Sequence, residues 1–199
     1  MPRRLQMKSM NKEATKCRGP MAAELNKIGV WLPFPNVSYL LSTDAYRGRP
    51  DGEYRSPDGR VIDVEFKASV GSVFLGNPDD PASTEGFHLS QRNWHTAVSQ
   101  RSNVPYVIVL FAYEDKADTR MKNQKSWFYV AEPKEWYALE EQIKSVDLNK
   151  TKRTVAIASQ SDRMLAYRHI SLEDCWASRR FKSAAEAALE VHRRCINVH

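Results

Sequence analysis

Hydrophobic positions along the chain recur with two periods. In MAAELNKIG, Met21, Leu25 and Ile28 fall on one helical face, and Gly29 offers a stop. NVSYLLST (36–43) is rich in strand formers. DGEYR and VIDVEFKAS flank the Pro/Gly turn cluster SPDGR and predict a β-hairpin. Residues 69–86 hold Gly, Pro, Asn and Ser, which predicts a long loop of the kind that often carries function. A helix follows, capped by Ser90, with Leu89 stapled onto Trp94. The continuous apolar run VPYVIVLFAYE (104–114) predicts a central strand buried on both faces. SWFYV predicts another strand, PKEWYALEEQI a helix with Pro133 near its start, and TVAIAS a short strand. SAAEAALEVHRRC predicts an amphipathic helix with Ala185, Ala188, Leu189 and His192 on one side. This order argues for an α/β fold, one mixed central sheet flanked by helices.

Residues 1–17 carry Arg3, Arg4, Lys8, Lys12 and Lys16 with little periodicity and read as a flexible basic arm. Residues 18–199 then form a single domain, divided into a core (18–114) and an α/β extension (115–199). A chain of 199 residues can bury a core of that size. No apolar run approaches the roughly 18–20 residues of a membrane span, so no membrane partner is expected. The N-terminus lacks the apolar core of a secretory signal. Cys17, Cys175 and Cys195 are widely spaced with no CxxC pair, which indicates neither a zinc site nor a disulfide framework. These features predict a cytoplasmic protein in a reducing compartment. The net charge of +6 and pI near 9.2 favour a polyanionic partner, since neutralising phosphates releases counterions.

The hairpin carries the chemistry. A turn centred on Asp58 pairs Val61 with Arg55, Asp63 with Glu53, and Glu65 with Asp51. Opposed Cβ atoms lie about 4.5–5.5 Å apart, so Asp51 and Glu65 can reach one common ion. Alternation sends Asp63, Glu65 and Lys67 to one face, and Ile62, Val64 and Phe66 to the other. Two carboxylates this close repel unless a positive charge sits between them. Mg²⁺ suits hard oxygen ligands and keeps several waters; Mn²⁺ is the alternative. The Phe66 carbonyl can complete the ligand set, and Glu24 on the first helix is a further candidate. Lys67 can orient a bound water or neutralise charge developing on a phosphate.

RGRPDGEYRSPDGRVIDVEFKAS resembles the active-site hairpin of the PD-(D/E)XK nuclease superfamily, with Pro50-Asp51 and Glu65-Phe66-Lys67 in the motif positions. RGPMAAELNKIG resembles the first helix of Holliday junction resolvases in that superfamily, where a glutamate joins the metal site; the match is Glu24. GFHLSQRNWHTAV resembles the helix after the hairpin, where a glutamine faces the site; the match is Gln91. The resemblance covers residues 16–114. It implies a restriction-endonuclease-like αβββαβ core, metal-dependent phosphodiester hydrolysis and commonly a homodimer. Lys16, Arg18, Arg47 and Arg49 flank the site in sequence and, with Arg92, are candidate DNA contacts.

Several readings stand beside one another. The lead is a structure-specific endodeoxyribonuclease, a Holliday junction resolvase. A type II restriction endonuclease is the alternative, with the extension reading bases in the major groove. A non-catalytic DNA-binding module is the third. In the plainest reading, Asp51 is a turn residue, Glu65–Lys67 are a solvated strand face, and Glu24 and Gln91 face water. Trp94, Trp127 and Trp136 read as core residues rather than base-stacking platforms. For a dimer, the sequence offers two surfaces: the 69–86 segment with Val73, Phe74 and Leu75, and the small-residue stripe Ala184, Ala185 and Ala188.

Overall fold

Strand alternation around the hairpin organises the molecule, which is described by a computed structural model over residues 13–35, 50–70, 72–74, 104–113, 126–136, 138, 169–171 and 180–197. A π-helical turn, Glu13–Arg18, leads into α1 (Gly19–Ile28), and then β1 (Val30–Pro33), β2 (Gly52–Arg55), β3 (Val61–Val70) and β4 (Ser72–Phe74). After these come β5 (Tyr106–Tyr113), β6 (Ser126–Ala131), β7 (His169–Ser171), β8 (Arg180–Phe181) and α2 (Ala184–Ile196). Six strands form one open sheet in the order β1-β2-β3-β5-β6-β8, and β4 pairs with β7 in a second, two-stranded sheet. Neighbours in the large sheet are antiparallel except β3 and β5, which run parallel. A parallel pair needs a long crossover, supplied here by the 71–105 connection. The molecule is thus α/β with a mixed sheet and helices. No helix among the described residues is long and apolar enough to cross a membrane.

The turn chemistry fixes the hairpin register. Ser56 N–H donates to the Arg60 carbonyl (2.9 Å) and Gly59 N–H to the Ser56 carbonyl (2.9 Å). Gly59 has φ of 87°, which only glycine adopts cheaply at the end of a three-residue loop. The resulting pairs are Arg55 with Val61, Tyr54 with Ile62, Glu53 with Asp63 and Gly52 with Val64, as the sequence predicts. One sheet face carries Tyr54, Ile62, Val64, Phe66, Val107 and Val109. It packs on Met21 and Leu25 of α1 and on Ala187, Ala188, Val191 and Cys195 of α2. Alternation sends Glu65, Ile108, Leu110 and Tyr129 to the opposite face, where they are buried too. β5 is therefore the central strand expected, covered on both sides. Gly52 lets β1 lie close: a Cβ there would come within 2.4 Å of the Leu32 carbonyl oxygen and 2.6 Å of the Trp31 ring.

At the other end of the chain, Ser183 caps α2 by accepting from Glu186 N–H (3.2 Å), while Glu186 accepts from Lys182 N–H (2.8 Å). Arg194, 13% exposed, joins Glu190 (2.7 Å) to Glu135 (2.8 Å) and so ties α2 to the helical turn at Pro133–Trp136.

Some elements differ from expectation. Helical structure begins at Glu13, inside the segment read as a basic arm, because the Cys17 side chain is fully buried against the sheet. β1 follows Gly29 directly, where no strand was foreseen. The segment read as a loop from residue 69 starts with the end of β3 and then β4. On α2, Ala187, Val191 and Cys195 are buried with Ala188, and Leu189 is exposed, so the apolar face is rotated from the predicted one. Ala188 is buried and Ala184 packs on the core, while Ala185 is exposed, so two members of the small-residue stripe serve the protein's own interior. Trp136 is core as expected, and Trp127 lies under Arg180, 4.6 Å from guanidinium carbon to ring centroid. The predicted strands at 36–43 and 154–159, the helix from Ser90 and Trp94 lie outside the described residues.

Candidate functional site

The site forms where the β2–β3 ladder ends. Ser56 and Arg60 form a hydrogen-bonded pair, so alternate pairs outward from the turn, Tyr54–Ile62 and Gly52–Val64, are hydrogen-bonded as well. The paired register ends at Gly52–Val64; carried one step further it sets Asp51 opposite Glu65 in a non-hydrogen-bonded position, the type whose Cα atoms are about 4.5 Å apart and whose side chains lie closest. β1 holds Asp51 from the far side: Phe34 N–H donates to the Asp51 carbonyl (2.9 Å).

One step further, Phe66 would pair with Pro50. Proline has no N–H, so the ladder cannot supply a donor to the Phe66 carbonyl. The Phe66 N–H is taken instead by Asp51 Oδ2 (2.8 Å). In an extended strand the N–H and C=O of one residue point to the same edge. The Phe66 carbonyl therefore opens toward the Asp51 carboxylate. Proline at 50 and aspartate at 51 act together: one withholds a ladder donor, and the other occupies the ladder's acceptor position with a charged side chain.

Among the described residues, each charged side chain at the site has a partner of opposite sign. Glu65 is 4% exposed, the only charged residue among the buried ones described. Its Oε1 lies 2.8 Å from Lys67 Nζ, two residues along the same face. A carboxylate this buried needs a cation or hydrogen bonds to stay ionised, so the solvated-face reading does not describe it. Asp51 Oδ1 lies 2.5 Å from Arg18 Nη2. Farther along the hairpin, Glu53 pairs with Arg55 (2.8 Å) and stands opposite Asp63. Among the described residues no three His, Cys, Asp or Glu side chains gather on one point. Asp51, Glu65 and the Phe66 carbonyl are the hard oxygen groups here that could help to hold a cation of the Mg²⁺ or Mn²⁺ type.

The other sequence candidates divide into three groups. Arg18 is at the site, bonded to Asp51 rather than standing apart as a DNA contact, and Lys16 is exposed on the preceding turn. Glu24 is not brought to the pair. α1 runs from Arg18, beside Asp51, to Ile28 and Gly29, beside Tyr54 and Arg55. Glu24 therefore lies roughly 9 Å of helical rise past Arg18, and it pairs with Lys27 (2.7 Å) on its own helix. Gln91, Arg92, Arg47 and Arg49 lie outside the described residues.

The Tyr54–His192 contact was not foreseen. Tyr54 OH donates to the Ile28 carbonyl (3.1 Å) and lies 2.7 Å from His192 Nδ1, joining hairpin, α1 and α2. Burial, with smaller contributions from Cys195 and Asp58, pushes the Tyr54 phenol up to about 12. Burial likewise raises the Cys195 thiol, an inert core group here. A depression of about 440 Å³ lined by Pro57, Asp58, Arg60, His192 and Ile196 lies beside this contact, at the opposite end of β2 from Asp51. Comparison with known proteins adds no relative: no protein-family model, curated protein or solved structure matches the chain.

Proposed function

We propose that this protein is a divalent-metal-dependent endodeoxyribonuclease of the PD-(D/E)XK type, acting on branched DNA as a Holliday junction resolvase. The observation that carries the reading is the end of the hairpin ladder. Its register, carried one step past Gly52–Val64, sets Asp51 opposite Glu65, Asp51 Oδ2 takes the Phe66 N–H that Pro50 would otherwise face, and Lys67 pairs with Glu65. The element order supports it: a helix, three antiparallel strands, then a fourth strand parallel to the third, as in an αβββαβ core.

Asp51, Glu65 and the Phe66 carbonyl would hold the metal, which when bound acidifies a water and offsets charge on a phosphate. Lys67 Nζ stabilises the negative charge that develops as water oxygen bonds to phosphorus and the bridging P–O bond breaks. Its stem is fixed by β3, pairing with Leu110 of β5, so the ammonium is held in place before substrate arrives. The exposed Lys16 and the chain's excess of basic residues supply sequence-independent attraction to DNA. Symmetric resolution of a junction takes two cuts on opposing strands, which one site per chain meets as a two-fold dimer.

The test is cleavage of four-way junction, linear duplex and single strand, with Mg²⁺ or EDTA, by wild type and by Asp51→Ala. Metal-dependent cutting that prefers the junction and vanishes in Asp51→Ala, with binding retained, is expected. Unchanged cutting by Asp51→Ala overturns the site, and a fixed fragment pattern on plasmid DNA points to a restriction enzyme instead.

A further inference from the structure

We propose that Arg18 is a place-holder cation, which neutralises Asp51 in the resting protein, yields to the divalent metal, and then binds a DNA phosphate. This rests on the nuclease reading above. Both Asp51 oxygens are engaged, and by unlike partners. Oδ2 accepts from the Phe66 backbone N–H, which β3 holds in place. Oδ1 accepts from a side chain, Arg18 Nη2. The Arg18 bond is therefore the exchangeable one.

Local charge then favours the exchange. Among the described residues, Asp51, Glu65, Arg18 and Lys67 sum to zero. A dication seated between the two carboxylates raises that sum to +2, with a guanidinium on one of its own ligand oxygens. Like charges this close repel strongly in a partly buried site. The Lys67 and Glu65 side chains are only 18% and 5% exposed and are held by the sheet. The Arg18 side chain is 42% exposed and can leave without opening the core. Its main chain stays fixed, because Cys17 and Met21 on either side are fully buried. The guanidinium therefore moves about an anchored Cα and remains near the site. Its forked donors match the oxygens of a phosphodiester, whose single negative charge offsets the released positive one. Metal and DNA would consequently help each other to bind, and reciprocally.

The experiment is calorimetric titration of Mn²⁺ into wild type, Arg18→Gln, Arg18→Lys and Asp51→Asn, each alone and with a cleavage-resistant phosphorothioate duplex. Without DNA, Arg18→Gln should bind Mn²⁺ about tenfold more tightly than wild type, a typical size for one coupled charge. Arg18→Lys, which keeps the charge but not the fork, should change less in the same direction and answers the question if Arg18→Gln misfolds. The duplex should tighten Mn²⁺ binding to wild type by a larger factor than to Arg18→Gln, in which only direct metal–phosphate attraction remains. Equal or weaker Mn²⁺ binding by Arg18→Gln, when wild type binds and Asp51→Asn does not, overturns the place-holder role and leaves the nuclease reading standing. No Mn²⁺ binding by wild type or Arg18→Gln overturns both.

Discussion

Replacing Lys67 by Met keeps most of the apolar stem and removes the charge beside a buried carboxylate. The Glu65 side chain is 5% exposed and its Oε1 is 2.8 Å from Lys67 Nζ. Removing one partner of a buried ion pair costs about 3–5 kcal/mol, because a charge is left without its counter-ion in low dielectric. The 18% exposure of Lys67 lets some water reach the vacated volume, which places the cost near the lower end, about 3 kcal/mol. For a domain of this size that is a fall in melting temperature of roughly 6–12 °C. The sign test is the double variant: Glu65→Gln with Lys67→Met removes both charges of the pair and should be more stable than Lys67→Met alone. Urea and thermal unfolding in EDTA measure both. Saturating Mg²⁺ should then restore much of the loss in the single variant, about 2.7 kcal/mol at a hundredfold excess over its dissociation constant. A single-variant loss below about 1 kcal/mol, or a double variant less stable than the single, would refute the pairing as a structural necessity.

Pro50→Ala gives residue 50 an N–H aimed at the Phe66 carbonyl, so Mn²⁺ affinity measured by calorimetry should fall several-fold while the circular dichroism spectrum is unchanged; equal affinity would show that this carbonyl is not a ligand. Burial works to raise the Glu190 carboxyl, but hydrogen bonds from Arg193 and Arg194 outweigh it and hold the group below its ordinary value of 4.5. Its stabilising contribution is therefore full above that value and is lost as pH falls through the depressed one, so Glu190→Gln should be less stable than wild type at pH 7 and match it in acid; a stability gap independent of pH would sink that assignment.

The parts of the fold that were legible in the sequence are those fixed by local rules. Pro57-Asp58-Gly59 dictates a turn, strict alternation from Ile62 to Lys67 dictates a two-faced strand, and together they give the register that, carried past Gly52–Val64, sets Asp51 opposite Glu65. The apolar run from Tyr106 could only be a strand covered on both sides. β1 escaped because Val30–Pro33 buries only Trp31, so it shows no alternation to read. β4 escaped because three residues carry no period, and its partner β7 lies far along the chain. The helical turn ending at Arg18 was hidden in a segment read by its basic residues, in which the buried Cys17 is the residue that docks it. The role of Arg18 was beyond sequence reasoning for another cause: composition marks a guanidinium as cationic, and only tertiary packing selects its carboxylate 33 residues away.

The packing of α1 against α2 sets an order of events during synthesis. The hairpin bearing Asp51, Glu65 and Lys67 leaves the ribosome early, but half of the cover over its apolar face is Ala187, Ala188, Val191 and Cys195, translated long afterwards. Until then Tyr54, Ile62 and Val64 lack that cover. The hairpin is thus made well before the helix that completes its apolar packing, and a nascent chain would hold it half-covered in the interval.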